Sequence, residues 1–239
     1  MRYQLTPLTW KRKRTMDYKD VKQLIEEGEG FEIEFKRKVS TPEKIARALI
    51  AFANTKGGHI LFGVDDDGSI VGVESEKSEV EMIRHAGLFY CSPEIEPAID
   101  IVAFDGEDVI VAYVAESERK PHYFIGSNGN GNSNDEEETK VFIRVNDKTV
   151  MASREVVRIL RDERPDAPPM HYEIGENEKR LFGYLNANER ITAKEFSHLV
   201  NISEERASRI LTSLVRAGVI RIHTLERSDY FTLAYNISK

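Results

Sequence analysis

Between Arg164 and Pro169 the chain reads Arg-Pro-Asp-Ala-Pro-Pro, and three prolines in five residues stop helix and sheet alike. A proline has no amide to donate and biases the residue before it away from the helical region. A linker at 164–172 therefore divides the 239 residues into a larger unit at 21–163 and a smaller one at 173–239. Residues 1–20 form a basic N-terminal arm.

In the larger unit, Asp17 to Glu27 carries Val21, Leu24 and Ile25 at the spacing of a short amphipathic helix. Phe31 to Lys36 alternates apolar and polar residues, as a half-buried strand does. Thr41-Pro42-Glu43 supplies a cap, a proline at the first helical position and an early acid. The helix they open places Ile45, Ala48, Leu49 and Phe52 inward, with Asn54 and Gly57-Gly58 as its end. Strands are predicted at 59–64 and 70–73 around the turn Asp65-Asp66-Asp67-Gly68, and at 99–104 and 109–115 around Asp105-Gly106. A helix is predicted around 80–89, a strand at 140–145 and a last helix at 153–162. Residues 126–138, GSNGNGNSNDEEE, have almost no apolar side chain and are expected to form a mobile loop between strands.

The smaller unit opens with a helix over 176–185 that turns Leu181, Phe182 and Leu185 to one face. Thr192 and Glu195 have capping-box spacing before Phe196, Leu199 and Val200. Asn201-Ile202 makes a short turn into a third helix, with Ala207, Ile210, Leu211, Leu214 and Val215 inward and Gly218 closing it. Short strands at 219–223 and 230–233 flank a polar wing at 226–229, which completes a winged helix-turn-helix pattern. Arg206, Arg209, Ser213 and Arg216 fall at offsets 0, 3, 7 and 10, one solvent-facing stripe suited to bases and phosphates, and Arg227 adds a cation on the wing. Glu204 and Glu205 at the start of the same helix oppose a polyanion. Dimerisation or simple packing is the other use of such a unit.

The formal net charge of −7 by itself speaks against a nucleic-acid partner. Its distribution reverses that inference. Residues 1–20 hold six basic and two acidic side chains, residues 21–170 hold 18 and 30, and residues 171–239 hold ten and nine. Screening confines a charge to about 8–10 Å in physiological salt, so local patches such as Lys11 to Arg14 decide what a polyanion meets. That run reads either as a phosphate contact or as a solvated surface arm. No stretch approaches the roughly 18 apolar residues of a membrane span, and no membrane partner is expected. One cysteine, Cys91, cannot form an internal disulfide, so a cytoplasmic location is expected and Cys91 is placed in the core. His122, His171, His198 and His223 lack metal-ligand spacing, and no G-x4-G-K-[ST] loop is present, so ATP is not an expected cofactor.

Several phrases go beyond periodicity. Glu29-Gly30-Phe31-Glu32-Ile33-Glu34-Phe35-Lys36, Ala51-Phe52-Ala53-Asn54-Thr55-Lys56-Gly57-Gly58 and Leu61-Phe62-Gly63-Val64-Asp65-Asp66-Asp67-Gly68 resemble the Schlafen AlbA-type domain. Lys120-Pro121-His122-Tyr123, Phe142-Ile143-Arg144-Val145 and Thr149 resemble its later half, so the likeness spans residues 17–162. The resemblance implies an α+β chain: a Schlafen AlbA-like mixed sheet-and-helix domain, then a small winged helix-turn-helix domain, as bacterial members often carry. It further implies a transcriptional regulator that binds nucleic acid, DNA before RNA, and leaves open whether the chain is an enzyme. The family has also been labelled ATP-binding.

In the animal Schlafens the core cleaves structured RNA with three acids, two from an E-x4-E-F-K phrase and one from a G-V-D phrase. The resemblance transfers these roles to Glu29, Glu34 and Asp65. The alternative function is thus a metal-dependent endoribonuclease, in which the trio would hold Mg²⁺ or Mn²⁺ to activate water or stabilise a phosphodiester. Lys36 and Lys38 would hold phosphate oxygens, and His59 would serve as an acid or base or be structural. Plainer roles exist for the acids: Glu29 at a helix end, Glu34 paired on a sheet surface, Asp65 starting a turn. The animal enzymes clamp RNA between two such domains, so a homodimer is expected here.

Overall fold

The computed structural model describes residues 15–126, 140–163 and 173–234. The basic run at 11–14, the low-complexity residues 127–139, the linker at 164–172 and His171 lie outside the described residues.

Asp17 opens α1 (Tyr18–Glu27): its carboxylate accepts from the amides of Lys19 and Asp20, and Asp20 accepts from the Asp17 amide in return. Then come β1 (Ile33–Lys36), α2 (Pro42–Asn54), β2 (Gly57–Phe62), α3 (Glu76–Phe89), β3 (Cys91–Ser92), β4 (Ala98–Phe104) and β5 (Glu107–Ala115). They are followed by β6 (Tyr123–Phe124), β7 (Phe142–Val145), β8 (Lys148–Met151) and α4 (Arg154–Asp162). Beyond residue 172 lie α5 (Glu176–Ala187), α6 (Ala193–Val200), α7 (Glu204–Arg216), β9 (Ile220–His223) and β10 (Tyr230–Leu233).

The main sheet has the order β1-β2-β5-β4, with β1 parallel to β2 and the other pairs antiparallel. A parallel pair needs a crossover, which α2 supplies. Asp105 and Gly106, both at positive φ (48° and 96°), make the two-residue β4–β5 hairpin. Alternation along the strands sends Ile60, Phe62, Ile110 and Ala112 to the α2–α3 side, and Leu61, Val109 and Val111 to the α1 side. Because both faces are covered, β2 is buried along its whole length. The pairs β3–β6 and β7–β8 form two further ribbons.

Leu181, Leu185, Phe196, Leu211, Leu214 and Phe231 gather α5, α6, α7 and the β9–β10 hairpin around a separate core. The Thr192–Glu195 capping box is formed. Gly218 (φ 70°) follows α7, with Val219 N donating to Leu214 O and Gly218 N to Val215 O, a glycine-terminated helix end. Among the described residues no helix is long and apolar enough to cross a membrane.

Several elements differ from their prediction. Residues 70–73 form no strand; a single bridge joins Val64 to Ile70, because Gly63 and Gly72 (φ 91° and 71°) turn the chain out of extended geometry. Gly57-Gly58 does not end the helix. Both lie in β2, where a Cβ on Gly57 would meet Val114 O at 2.5 Å. Helix α3 starts at Glu76, four residues before its first inward apolar residue, Val80.

Candidate nucleic-acid interface

Glu34 points from β1 into a polar pocket, with its side chain 12 % exposed. Lys36 Nζ donates to its Oε1 and Arg144 Nη1 to its Oε2, each at 2.5 Å. Arg144 comes from the middle of β7, where all four residues are buried, and its side chain is 1 % exposed. Its Nη2 donates to Gly30 O (2.8 Å) and Asp147 O (2.9 Å), and its guanidinium lies 4.7 Å from the Phe52 ring centroid. Burial pulls the Arg144 pKa down, while the Glu34 and then the Glu29 carboxylates pull it back. Arg144 Nε is buried without a hydrogen-bond partner.

Glu29 lies beyond α1 and its Oε1 accepts from the Phe35 amide (2.8 Å), holding the turn before β1. Glu34 thus binds the guanidinium directly, and Glu29 acts on it only through its charge. Asp65 is not part of that group. It closes the turn after β2, where its amide donates to Ser69 O (2.9 Å) and its carboxylate pairs with Arg37 at 2.5 Å. Among the described residues, no three His, Cys, Asp or Glu are placed to hold a metal ion. With both Glu34 oxygens taken by cations, this donor set does not fit Mg²⁺ or Mn²⁺, and no metal-dependent step follows from it. Lys36 is half-buried on Glu34, while Lys38 is exposed.

The histidines are engaged elsewhere. Burial pushes His59 down to about 4, so it is neutral beside the Tyr113 ring. His122 donates from Nδ1 to Pro93 O (2.7 Å), which leaves Nε2 to accept from the Ser117 hydroxyl (2.6 Å). His223 stacks on Tyr230.

Helix α7 is divided among three surroundings. Ala207, Leu211 and Leu214 enter the core. Glu205 and Ser208 face α4: Arg158 Nη1 donates to Ser208 Oγ (2.7 Å), and Arg158 Nη2 pairs with Glu205 at 3.1 Å. Arg206 and Arg209 are exposed, and among the described residues neither has an ion-pair partner. Ser213 is half-buried, and Arg216, 25 % exposed, faces Asp162 of α4 at 3.8 Å. Arg227 is exposed between Glu226, which pairs with Lys148, and Asp229, which accepts from the Ser153 hydroxyl. The predicted four-residue stripe is therefore open at Arg206 and Arg209 and tied at Arg216.

Residues 29–153, just over half of the chain, match the family described as Schlafen, AlbA_2. The chain belongs to this family. No curated protein matches the sequence. Among solved structures, the chain is similar to the N-terminal domain of an ATP-dependent DNA helicase RecG-related protein from Nitrosomonas europaea. That match has 25 % identity and a TM-score of 0.38, over 46 % of this chain and 84 % of that one. The DIP2311 protein from Corynebacterium diphtheriae is also similar, at 18 % identity and a TM-score of 0.41 over 59 % of this chain. The chain spans a quarter of the DIP2311 protein's length.

Sequence reasoning missed two polar anchors of the AlbA_2 region. One is Arg144, whose signal was a lone cation inside the apolar run Val141 to Val145. The other is Asn54, fully buried, whose amide donates to His122 O and Phe142 O (both 3.0 Å) and accepts from His122 N (2.7 Å). Arg144 ties β7 to β1 and Asn54 ties α2 to β7, and neither contact has a sequence signature, since the partners lie 68 to 110 residues away.

Proposed function

We propose that this AlbA_2 chain is a nucleic-acid-binding transcriptional regulator. In it α5 to α7 and the β9–β10 hairpin serve as a winged helix on duplex DNA. The observation that carries this reading is the exposed pair Arg206 and Arg209, one turn apart in the first half of α7, behind an N-cap in which Ser203 Oγ accepts from the Arg206 amide. A recognition helix meets base edges with its N-terminal half, and arginine supplies two parallel donors to a guanine edge or a phosphate. Glu205 does not repel the duplex as an isolated charge, because Arg158 holds it. Arg227 adds a cation on the hairpin. The expected homodimer belongs to the same proposal and is checked by light scattering.

The test is fluorescence anisotropy with a labelled duplex across a salt series. Wild type should lose affinity linearly in log salt, and Arg206→Ala with Arg209→Ala should flatten the slope by about 2, near 0.9 per phosphate contact. No binding at 50 mM salt would end this reading. The endoribonuclease alternative requires Glu34 to leave two cations before it meets a metal ion. Structured RNA incubated with Mg²⁺ or Mn²⁺, with Asp65→Asn as the inactive control, tests it.

A further inference from the structure

Helix α7 has its own core on one side and the AlbA_2 region on the other. Ala207, Leu211 and Leu214 point into the core of the smaller unit. Glu205 and Ser208 meet Arg158 of α4, and Arg216 in the last turn meets Asp162. At 3.6 residues per turn, these α4 contacts are centred about 140° around α7 from its core face. They also show that α4 runs alongside α7 in the same sense, from near its start to its end. The hairpin is held too. Glu226, between β9 and β10, pairs with Lys148 of β8 at 2.8 Å, and Asp229 accepts from the hydroxyl of Ser153, the N-cap of α4.

This seam has the character of a dock and not of a core. The two units have separate apolar clusters. Among the described residues, Ile222 of β9 is the apolar side chain of the smaller unit that packs on Val141, Ile143, Val145, Val156 and Leu160. An open cavity of about 280 Å³ remains where Ile222 and Thr224 face Ile143, Val156 and Leu160. Elsewhere the seam is crossed by the pairs of Lys148 with Glu226 and Arg158 with Glu205, in which Lys148, Glu226 and Glu205 are exposed. Exposed pairs are individually weak, and units of one chain that share a small polar interface move relative to one another by default.

We propose that this is a closed form, in which α4 covers the duplex-reading side of α7, and that release of the smaller unit from α4 and β8 switches binding on. This rests on the winged-helix reading above and assigns that site its regulation. A recognition helix enters the groove with the side that faces away from its own core. With side chains a helix is about 10–12 Å across, and the major groove is about 12 Å wide, so the groove takes one helix. Packed helices lie about 8–10 Å apart, so α4 stands where the base edges and flanking phosphates would lie. Arg206 and Arg209 stay exposed at the margin of the seam and meet base edges only once α4 has left. The duplex binds the open form alone, so the apparent affinity is scaled down by the fraction of chain that is open.

The experiment uses the full chain, a labelled 20-base-pair duplex at 100 mM salt, and small-angle X-ray scattering of each free protein. Lys148→Gln with Arg158→Gln cuts the seam from the AlbA_2 side and leaves the smaller unit untouched. It also removes two cations and leaves Glu205 and Glu226 unpaired, so a charge effect alone weakens binding. Uncovering α7 has the opposite sign: the variant should bind about fivefold or more tightly than wild type, with a larger radius of gyration. Lys77→Gln with Arg84→Gln, two exposed cations of α3, is the charge-matched control and should show neither change. Thermal melts verify that each variant is folded. If the seam variant binds no more tightly than wild type while Arg206→Ala with Arg209→Ala is impaired, the closed form is overturned and the winged-helix reading stands. If the gain survives when Arg206→Ala and Arg209→Ala are added to the seam variant, the duplex is held elsewhere and the assignment of α7 falls with its cover. If neither wild type nor the seam variant binds duplex at 50 mM salt, the winged-helix reading itself fails.

Discussion

Arg144 Nη1 donates to Glu34 Oε2 at 2.5 Å across 110 residues of sequence, and the pair is the ionic centre of the AlbA_2 region. A buried pair contributes little net stability relative to an apolar substitute, but breaking one partner leaves the other charge in a low-dielectric site. Glu34→Ala should therefore lower the free energy of unfolding by about 3–5 kcal/mol, read by urea denaturation. Asp65→Ala removes a surface pair with Arg37 and an exposed hydrogen bond from the Asp66 amide, and should cost about 1 kcal/mol or less. Equal losses for the two variants would contradict the buried-pair assignment. Activity lost on Glu34→Ala would thus say nothing of catalysis unless the variant is folded.

Stability should fall with acid through His59. Its folded pKa, about 4, lies below the ordinary value of 6.5 because burial disfavours the imidazolium. As pH drops from 6.5 towards 4 the unfolded chain takes up a proton that the folded chain refuses. The contribution is thus complete above pH 6.5 and is lost across that window, to an extent of about 3 kcal/mol at most. Burial depresses His122 as well, with the same sign. In His59→Gln the pH dependence of unfolding between 4 and 6.5 should be shallower; an unchanged profile would remove His59 from this role.

Gly57 should not tolerate a side chain. It has φ 74° inside β2, and an added Cβ would lie 2.5 Å from Val114 O and 2.7 Å from Glu116 N, both backbone atoms of the neighbouring chain segment. Gly57→Ala should destabilise by about 2–3 kcal/mol or prevent folding. Gly30→Ala, with nothing within 4 Å of the new carbon, is the matched control and should melt within a few degrees of wild type. A Gly57→Ala chain as stable as the control would show that β2 and β5 can move apart.

Cys91 should be chemically silent in the folded chain. It is buried, and desolvation pushes its thiol up to about 12, so almost no thiolate exists at pH 8. A disulfide-exchange reagent should label it only as the protein opens, with a rate that rises in urea alongside unfolding. Stoichiometric labelling within seconds in native buffer would refute this.

Local signals were legible where the physics is local. The Asp105-Gly106 hairpin, the Thr192–Glu195 capping box and the Gly218 helix end each depend on residues within five positions of one another. Helix α2 was legible from Pro42 and the spacing of Ile45, Leu49 and Phe52. Residues 70–73 misled because a β-branched run after an Asp-Gly turn matches a strand, whereas Gly72 at positive φ, with Glu107 against it, bends the segment. Gly57-Gly58 misled for a related reason: a glycine pair after a helix suits a cap, and only the approach of Val114, Glu116 and Glu32 shows what the missing side chains make room for.

The candidate site divides in the same way. Composition and periodicity by themselves determined that the chain is α+β, that its acidity is concentrated in the middle, and that Arg206 and Arg209 share a helix face. Which cations are open to a polyanion was decided by tertiary structure alone. Arg216 is drawn to Asp162, Lys36 to Glu34, Arg158 to Glu205 and Arg144 into the core, while Arg206 and Arg209 stay exposed. A charge pair forms between residues that folding brings within a few ångströms, and sequence separations of 54 or 110 residues leave no periodicity from which to read it.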